Sequence, residues 1–220
     1  MKSGFVTIVG RPNAGKSTLI NNIIGSKVAI VSDKAHTTRN NIQGIYNDKE
    51  SQIVFIDTPG VHKPMHKLGK YMNNEVYYSL EDADVVLFMV DATEKIGKGD
   101  KFILEKLKGL DAPVFLILNK VDKIKKDSLL AMIQEYNDLF DFKEIIPISA
   151  LKNDNVDDLI NTIKKYLSEG EPYYSDDYYT DKSLNFMVSE LVREKVLRHT
   201  NEEVPHTVTC VTEKYEDNES

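Results

Sequence analysis

The sequence predicts an α/β fold: a doubly wound, mostly parallel sheet of six strands with helices on both faces. Three observations predict it. Apolar, β-branched runs of strand length recur along the 220 residues with helical stretches between most of them, and strands apolar throughout are those of a parallel sheet covered on both sides. The first run leads into Gly10-Arg11-Pro12-Asn13-Ala14-Gly15-Lys16-Ser17, which fits G-x-x-x-x-G-K-[ST]. The polar clusters Asp57-Thr58-Pro59-Gly60, Asn119-Lys120-Val121-Asp122 and Ser149-Ala150-Leu151 each follow a predicted strand, at the edge where such sheets bind ligands.

Residues 5–9 read as a buried strand and 17–24 as a helix stopped by Gly25. Strand, glycine loop and helix aim backbone N–H groups and the positive end of a helix dipole at one point, as a polyphosphate requires. Gly10 and Gly15 permit the tight loop, Lys16 reaches the terminal phosphates, and the Ser17 hydroxyl is one Mg²⁺ ligand. The octamer arises by chance in roughly one chain in a hundred of this length. An accidental glycine turn is therefore a weak alternative.

Residues 32–41 are polar without periodicity and read as a loop that orders on a ligand. Residues 42–46 and 52–56 form two strands joined by a hairpin turn over 47–51. Asp57, directly after the second, is placed to hold Mg²⁺, directly or through water. A helix is expected over about 66–80, a strand at 83–91, a helix over 101–108, a strand at 114–118, a helix over 129–140, a strand at 145–148 and a helix over about 156–167. Phe102, Ile103 and Leu107 are expected on an inner helix side.

The charge, −7 from 28 basic and 35 acidic residues, argues against non-specific nucleic-acid binding. One cysteine, Cys210, excludes an intramolecular disulfide framework and fits a reducing cytosol. His62 and His66 are spaced i, i+4, but Pro64 between them favours a solvated loop over a metal pair. With no signal-like start and no long apolar run, a cytoplasmic chain is expected.

The loop from Gly10 to Thr18, Thr37-Thr38, Asp57-Thr58-Pro59-Gly60, Asn119-Lys120-Val121-Asp122 and Ser149-Ala150-Leu151 correspond in order to the five G motifs of translation-factor-class GTPases. With Ala35-His36-Thr37-Thr38-Arg39 and Asp57-Thr58-Pro59-Gly60-Val61-His62, the chain resembles the Era family, bacterial GTPases that assist maturation of the small ribosomal subunit. The resemblance implies a P-loop GTPase fold, hydrolysis of GTP to GDP and phosphate, and Mg²⁺. It implies nucleotide contacts from Gly10, Arg11, Pro12, Asn13, Ala14, Gly15, Lys16, Ser17, Thr18, Asp57, Thr58, Pro59, Gly60, Asn119, Lys120, Asp122, Ser149, Ala150 and Leu151. Mg²⁺ falls to Ser17, Thr38 and Asp57, and catalysis to Lys16, Thr38, Gly60 and Asn13. Asn13 resembles the residue that in several related GTPases helps hold K⁺ beside the phosphates. The Asp122 carboxylate can accept from guanine N1–H and N2–H₂, donors that adenine lacks. A small-metabolite kinase shares the phosphate loop but needs no guanine pocket, so Asn119 and Asp122 count against it.

Beyond the G domain, residues 1–168, the acidic and aromatic stretch 169–181 reads as a linker. Leu184, Met187, Val188, Leu191, Val192 and Val196 form an apolar helical stripe, Arg193, Lys195 and Arg198 a basic patch, and 207–212 a strand. Residues 189–197 and 202–206 resemble the opening of the family's KH RNA-binding domain. No glycine follows Gly170, so the G-x-x-G loop with which a KH domain grips RNA is missing, and 182–220 are expected to be an incomplete α+β KH-like segment. The resemblance also implies small-subunit ribosomal RNA and the 30S subunit as partners, peripheral association with the inner face of the cell membrane, and a monomer. A related ribosome-assembly or tRNA-modification GTPase, or a nucleotide-binding module that has lost RNA binding, are the alternatives.

Overall fold

The structure is a computed structural model and describes residues 1–34, 37–61, 67–200 and 208–214. His36, His62, His66, the segment 201–207 and the acidic tail from residue 215 lie outside the described residues. The strands are β1 (Lys2–Gly10), β2 (Ile42–Asn47), β3 (Ser51–Asp57), β4 (Val85–Asp91), β5 (Val114–Asn119) and β6 (Glu144–Pro147). They form one sheet in the order β2-β3-β1-β4-β5-β6. Among these strands the hairpin pair β2–β3 is antiparallel, and β3–β1, β1–β4, β4–β5 and β5–β6 run parallel. The doubly wound, six-stranded expectation holds.

The helices are α1 (Lys16–Ile24), α2 (Lys67–Glu81), α3 (Lys98–Leu107), α4 (Lys126–Asn137), α5 (Val156–Tyr166) and α6 (Leu184–His199), with a short 3₁₀ turn at Val121–Lys123. Strand alternation divides the central strand β4 between two cores. Val85, Leu87 and Met89 pack with α1 and α5 through Leu19, Ile20, Leu159 and Ile163. Val86, Phe88 and Val90 pack on the other face with Val76 and Leu80 of α2, Ile103, Leu104 and Leu107 of α3, and Tyr136 of α4. Fully burying each such side chain contributes about 1.5–3 kcal/mol. The two layers fix the sheet rigidly, so its carboxyl edge is a firm platform for loops.

Helices α3 and α4 begin three residues earlier than apolar periodicity suggests, because their first turns are polar and carry no periodic signal. In α3 the Asp100 carboxylate turns back to accept from the Gly97 N–H at 2.8 Å. Residues 208–212 form no strand; the Val208 carbonyl accepts from Arg39 and the Thr212 hydroxyl donates to the Asn185 carbonyl. The segment after α5 runs along the β2 edge. Gln52, fully buried, accepts from the N–H groups of Tyr173 and Tyr174, and Ile45 N–H donates to the Tyr179 carbonyl at 3.0 Å.

Helix α6 turns a partly charged face inward. Of its apolar stripe, Leu184, Leu191 and Val192 are exposed, whereas Arg193, Glu194 and Leu197 are buried.

Candidate functional site

The loop between β1 and α1 is built by close approach. A Cβ on Gly10 would sit 2.2 Å from the Met89 carbonyl oxygen, and one on Gly15, at φ +104°, would sit 2.2 Å from the Asn119 side-chain nitrogen. Only glycine fits either place. The buried Lys16 crosses back over the loop, its ammonium donating to the Arg11 carbonyl at 3.1 Å and the Gly10 carbonyl at 3.5 Å. Burial draws the Lys16 pKa below the usual lysine value, and the Asp57 carboxylate acts against that. Such a lysine gains most from a polyanion beside it. The Arg11 side chain turns outward instead, pairing with Glu94 at 2.8 Å and Asp100 at 3.4 Å.

Beside the lysine, three oxygens from three elements converge. Asp57, at the end of β3, accepts at Oδ2 from the Ser17 hydroxyl at 2.6 Å and the Thr38 hydroxyl at 3.4 Å, and the two hydroxyl oxygens are 3.2 Å apart. Asp57 is fully buried and its Oδ1 has no hydrogen-bond partner. Burial raises its pKa, while Lys16, Ser17 and Thr38 act in the opposite direction. A buried carboxylate with one unused oxygen beside two hydroxyls is an all-oxygen donor set suited to Mg²⁺. Neighbouring Thr58 is tied down by donating to the Ile8 carbonyl at 2.6 Å. Pro12 meets Gly60 across the site: a Cβ on Gly60 would lie 2.7 Å from the Pro12 ring.

The ends of β5 and β6 supply the other half. Asn119 Nδ2 donates to the Ala14 carbonyl at 2.8 Å and its Oδ1 accepts from the Ala150 N–H at 2.9 Å. Lys120, in the left-handed region at φ +66°, donates to the Asn13 carbonyl at 2.9 Å and to Asp91 at 2.5 Å. The Asp122 pKa is lowered by the Ser149 hydroxyl and by Lys152, whose ammonium is 3.5 Å away. Ser149 and Ala150 are buried and Leu151 is exposed.

Between the halves lies a cavity of about 310 Å³, lined by Pro12, Asn13, Lys16–Thr18, Thr37, Thr38, Gly60 and Lys120, and by residues 30–34 of the following loop. Asp122, Ser149, Ala150 and Leu151 do not line this cavity. Asn13 bridges to the loop, its amide donating to the Asp33 carbonyl at 2.9 Å.

That loop is held from outside by α6, a contribution that sequence reasoning missed. Arg193 donates to the Thr37 carbonyl at 2.5 Å and pairs in a fork with Glu190; Glu194 accepts from Val31 N–H at 3.2 Å and pairs with Lys27 and with Arg198 at 2.7 Å. Arg198 in turn donates to the Val31 carbonyl at 3.1 Å. The expected basic patch is thus mostly consumed inside the molecule. The i, i+3 and i, i+4 acid–base pairs Glu190–Arg193 and Glu194–Arg198 were the available signal.

The family model of the 50S ribosome-binding GTPases matches residues 5–120. An Era protein solved with MgGDPNP and nucleotides 1506–1542 of 16S ribosomal RNA superposes with a TM-score of 0.90 at 47% identity, covering 94% of this chain and 70% of that one. Aquifex aeolicus Era bound to GDP·AlF₄⁻ gives 0.89 at 48% identity, covering 93% and 70%. A probable GTP-binding protein, EngB, is more distant, at 28% identity and a TM-score of 0.58 over 74% of this chain and 97% of its own.

Proposed function

Because this chain belongs to the Era family of GTPases, we propose that it is a GTP-hydrolysing switch acting on the small ribosomal subunit through 16S ribosomal RNA. The observation that carries the reading is the Asp57 carboxylate, buried at a strand end, touching both Ser17 of the phosphate loop and Thr38 of the Thr37-Thr38 motif. Ser17, Thr38 and Asp57 would hold Mg²⁺, which would supply positive charge to offset that of the phosphates. Lys16 and the amides at the start of α1 bind the β- and γ-phosphates and stabilise charge developing between them. Asn119 keeps the base side and the phosphate side of the site in register. Asp122 selects guanine, since adenine would leave its carboxylate without donors. The Gly60 backbone, packed on Pro12, brings the segment after Asp57 close to the phosphates, where its N–H can report on the γ-phosphate.

GTP and GDP then differ in how they order the loop carrying Thr38, and the partner reads that difference. The family resemblance implies a monomer in the cytoplasm or at the inner face of the cell membrane. Among the described residues no helix is long and apolar enough to cross a membrane. The test pairs multiple-turnover phosphate release from GTP and ATP with filter binding of a 3′-terminal 16S RNA fragment. GTP-selective turnover with RNA affinity that depends on the bound nucleotide is the expected result. Turnover of both nucleotides alike would overturn the guanine assignment, and nucleotide-independent RNA binding would overturn the switch.

A further inference from the structure

We propose that Arg193, in α6 and outside every GTPase motif, is a positioning residue for Thr38: it holds the Thr37 carbonyl and thereby sets where the Thr38 hydroxyl stands relative to Mg²⁺. The inference rests on the assignment of Thr38 to the Mg²⁺ shell made above.

The argument is geometric. Arg193 is 3% exposed, with Nε and Nη2 forked onto Glu190 at 2.7 and 2.6 Å and Nη2 also on the Thr37 carbonyl oxygen at 2.5 Å. That oxygen belongs to the peptide unit joining Thr37 to Thr38. A peptide is planar, so holding its oxygen restrains where the Cα of the next residue stands. From that Cα, the Thr38 hydroxyl reaches Ser17 Oγ at 3.2 Å and Asp57 Oδ2 at 3.4 Å. The start of the loop is anchored by the same helix. Glu194 and Arg198 take the N–H and the carbonyl of Val31, and Val31 lines the cavity.

The arrangement suits arginine specifically. A planar guanidinium can serve a carboxylate and a carbonyl at once in fixed directions, whereas an ammonium is a point donor. Glu190 neutralises the buried cation, so the fork is held in place before the loop orders. Thr37 is further fixed by donating its hydroxyl to the Lys34 carbonyl at 2.7 Å, which leaves the main-chain oxygen as the point where α6 acts.

Ordering of this loop in GTPases depends on the γ-phosphate and Mg²⁺ together. A residue that acts through Thr38 should therefore matter for the triphosphate state and not for GDP. A residue that merely holds α6 in place should affect both or neither. The experiment measures, on the full chain, affinity for a fluorescent non-hydrolysable GTP analogue and for fluorescent GDP, each as a function of Mg²⁺, with thermal melting as the check on folding. In Arg193→Gln the ratio of analogue to GDP affinity should fall about tenfold, and the Mg²⁺ needed for half-maximal analogue binding should rise by a similar factor, with GDP affinity unchanged. Arg193→Lys, which keeps the buried charge, serves if the glutamine variant does not fold, and should lower the ratio by several-fold. Thr38→Ala should do what Arg193→Gln does, and adding Arg193→Gln to Thr38→Ala should lower the ratio no further. If Thr38→Ala alone leaves the ratio unchanged, the Mg²⁺ assignment fails and the inference with it. If Thr38→Ala lowers the ratio but folded Arg193 variants do not, or if the double variant is worse than either single one, the positioning role alone is overturned.

Discussion

Asn119 donates to the main-chain carbonyl of Ala14 at 2.8 Å, 105 residues away, so a strand-end amide holds the phosphate loop in place. Its other atom accepts from Ala150 N–H at 2.9 Å, and the residue is almost fully buried. Asn119→Ala leaves a buried carbonyl and a buried N–H without partners, which costs about 1–3 kcal/mol for each group. The variant is expected to melt lower even without nucleotide and to bind GDP at least tenfold more weakly. An unchanged melting temperature would mean that the amide serves the base alone.

The neighbouring Asp122 tests nucleotide choice. Asp122→Asn turns an acceptor pair into a donor and an acceptor, which no longer matches guanine but matches xanthine, whose 2-oxo group accepts. GTP affinity should fall tenfold to hundredfold, about 1–3 kcal/mol, while xanthosine triphosphate gains. Competition titrations with both nucleotides measure it. Undiminished GTP affinity would remove Asp122 from the base pocket.

The hairpin between β2 and β3 carries a pH-dependent element. The Asp48 carboxylate accepts from the N–H groups of Glu50 and Ser51 at 2.9 and 2.8 Å, and pairs with Lys164 of α5. Partial burial alone would raise its pKa, but the Lys164 ammonium and these donors outweigh burial and hold it below the usual carboxylate range. Its folded pKa lies below its unfolded one. The stability it contributes is therefore complete above about pH 4 and is lost as pH falls through the folded value. Asp48→Asn should cost about 1–2 kcal/mol at pH 7 and flatten the decline of stability below about pH 4. Urea denaturation of both proteins at neutral pH and near pH 3 decides it: parallel pH profiles would show that Asp48 is not the linked group.

Much of this was legible in the sequence because it is local. A glycine loop after a β-branched run, and apolar strands ending in Asp57 and Asn119, fix the element types and bring the motifs to one sheet edge. Which face of helix α6 meets the protein was not legible, for a physical reason. Periodicity shows that Leu184, Val188, Leu191 and Val192 share an apolar stripe, but not which face meets the protein. What α6 covers is a loop whose Val31 and Thr37 main-chain groups need partners, so the charged face turned inward. Likewise Gln43 and Gln52 gave no hint that they would tie the tyrosine-rich segment after α5 to the sheet edge.

Water activation gives the last prediction. Many small GTPases orient the attacking water with a glutamine directly after the glycine of D-x-x-G. Here that residue is Val61, 3% exposed, with its N–H on the Gly10 carbonyl at 3.0 Å and its side chain packed in the core with Val9 and Val76. It cannot hold a water, so hydrolysis without an added cation should be slow. We propose that Asn13 compensates: it stands in the phosphate loop at φ +63°, lines the cavity and donates its amide to the Asp33 carbonyl. Its side-chain oxygen and the loop carbonyls are neutral oxygen donors, of the kind that can replace the hydration shell of K⁺. A cation there would stabilise charge developing between the β- and γ-phosphates. Phosphate release should therefore be at least tenfold faster in K⁺ than in Na⁺ at matched ionic strength, about 1.4 kcal/mol in the barrier. Asn13→Ala should abolish the difference while leaving GDP affinity near that of the unaltered chain. Equal rates in the two salts would show that another group balances the charge.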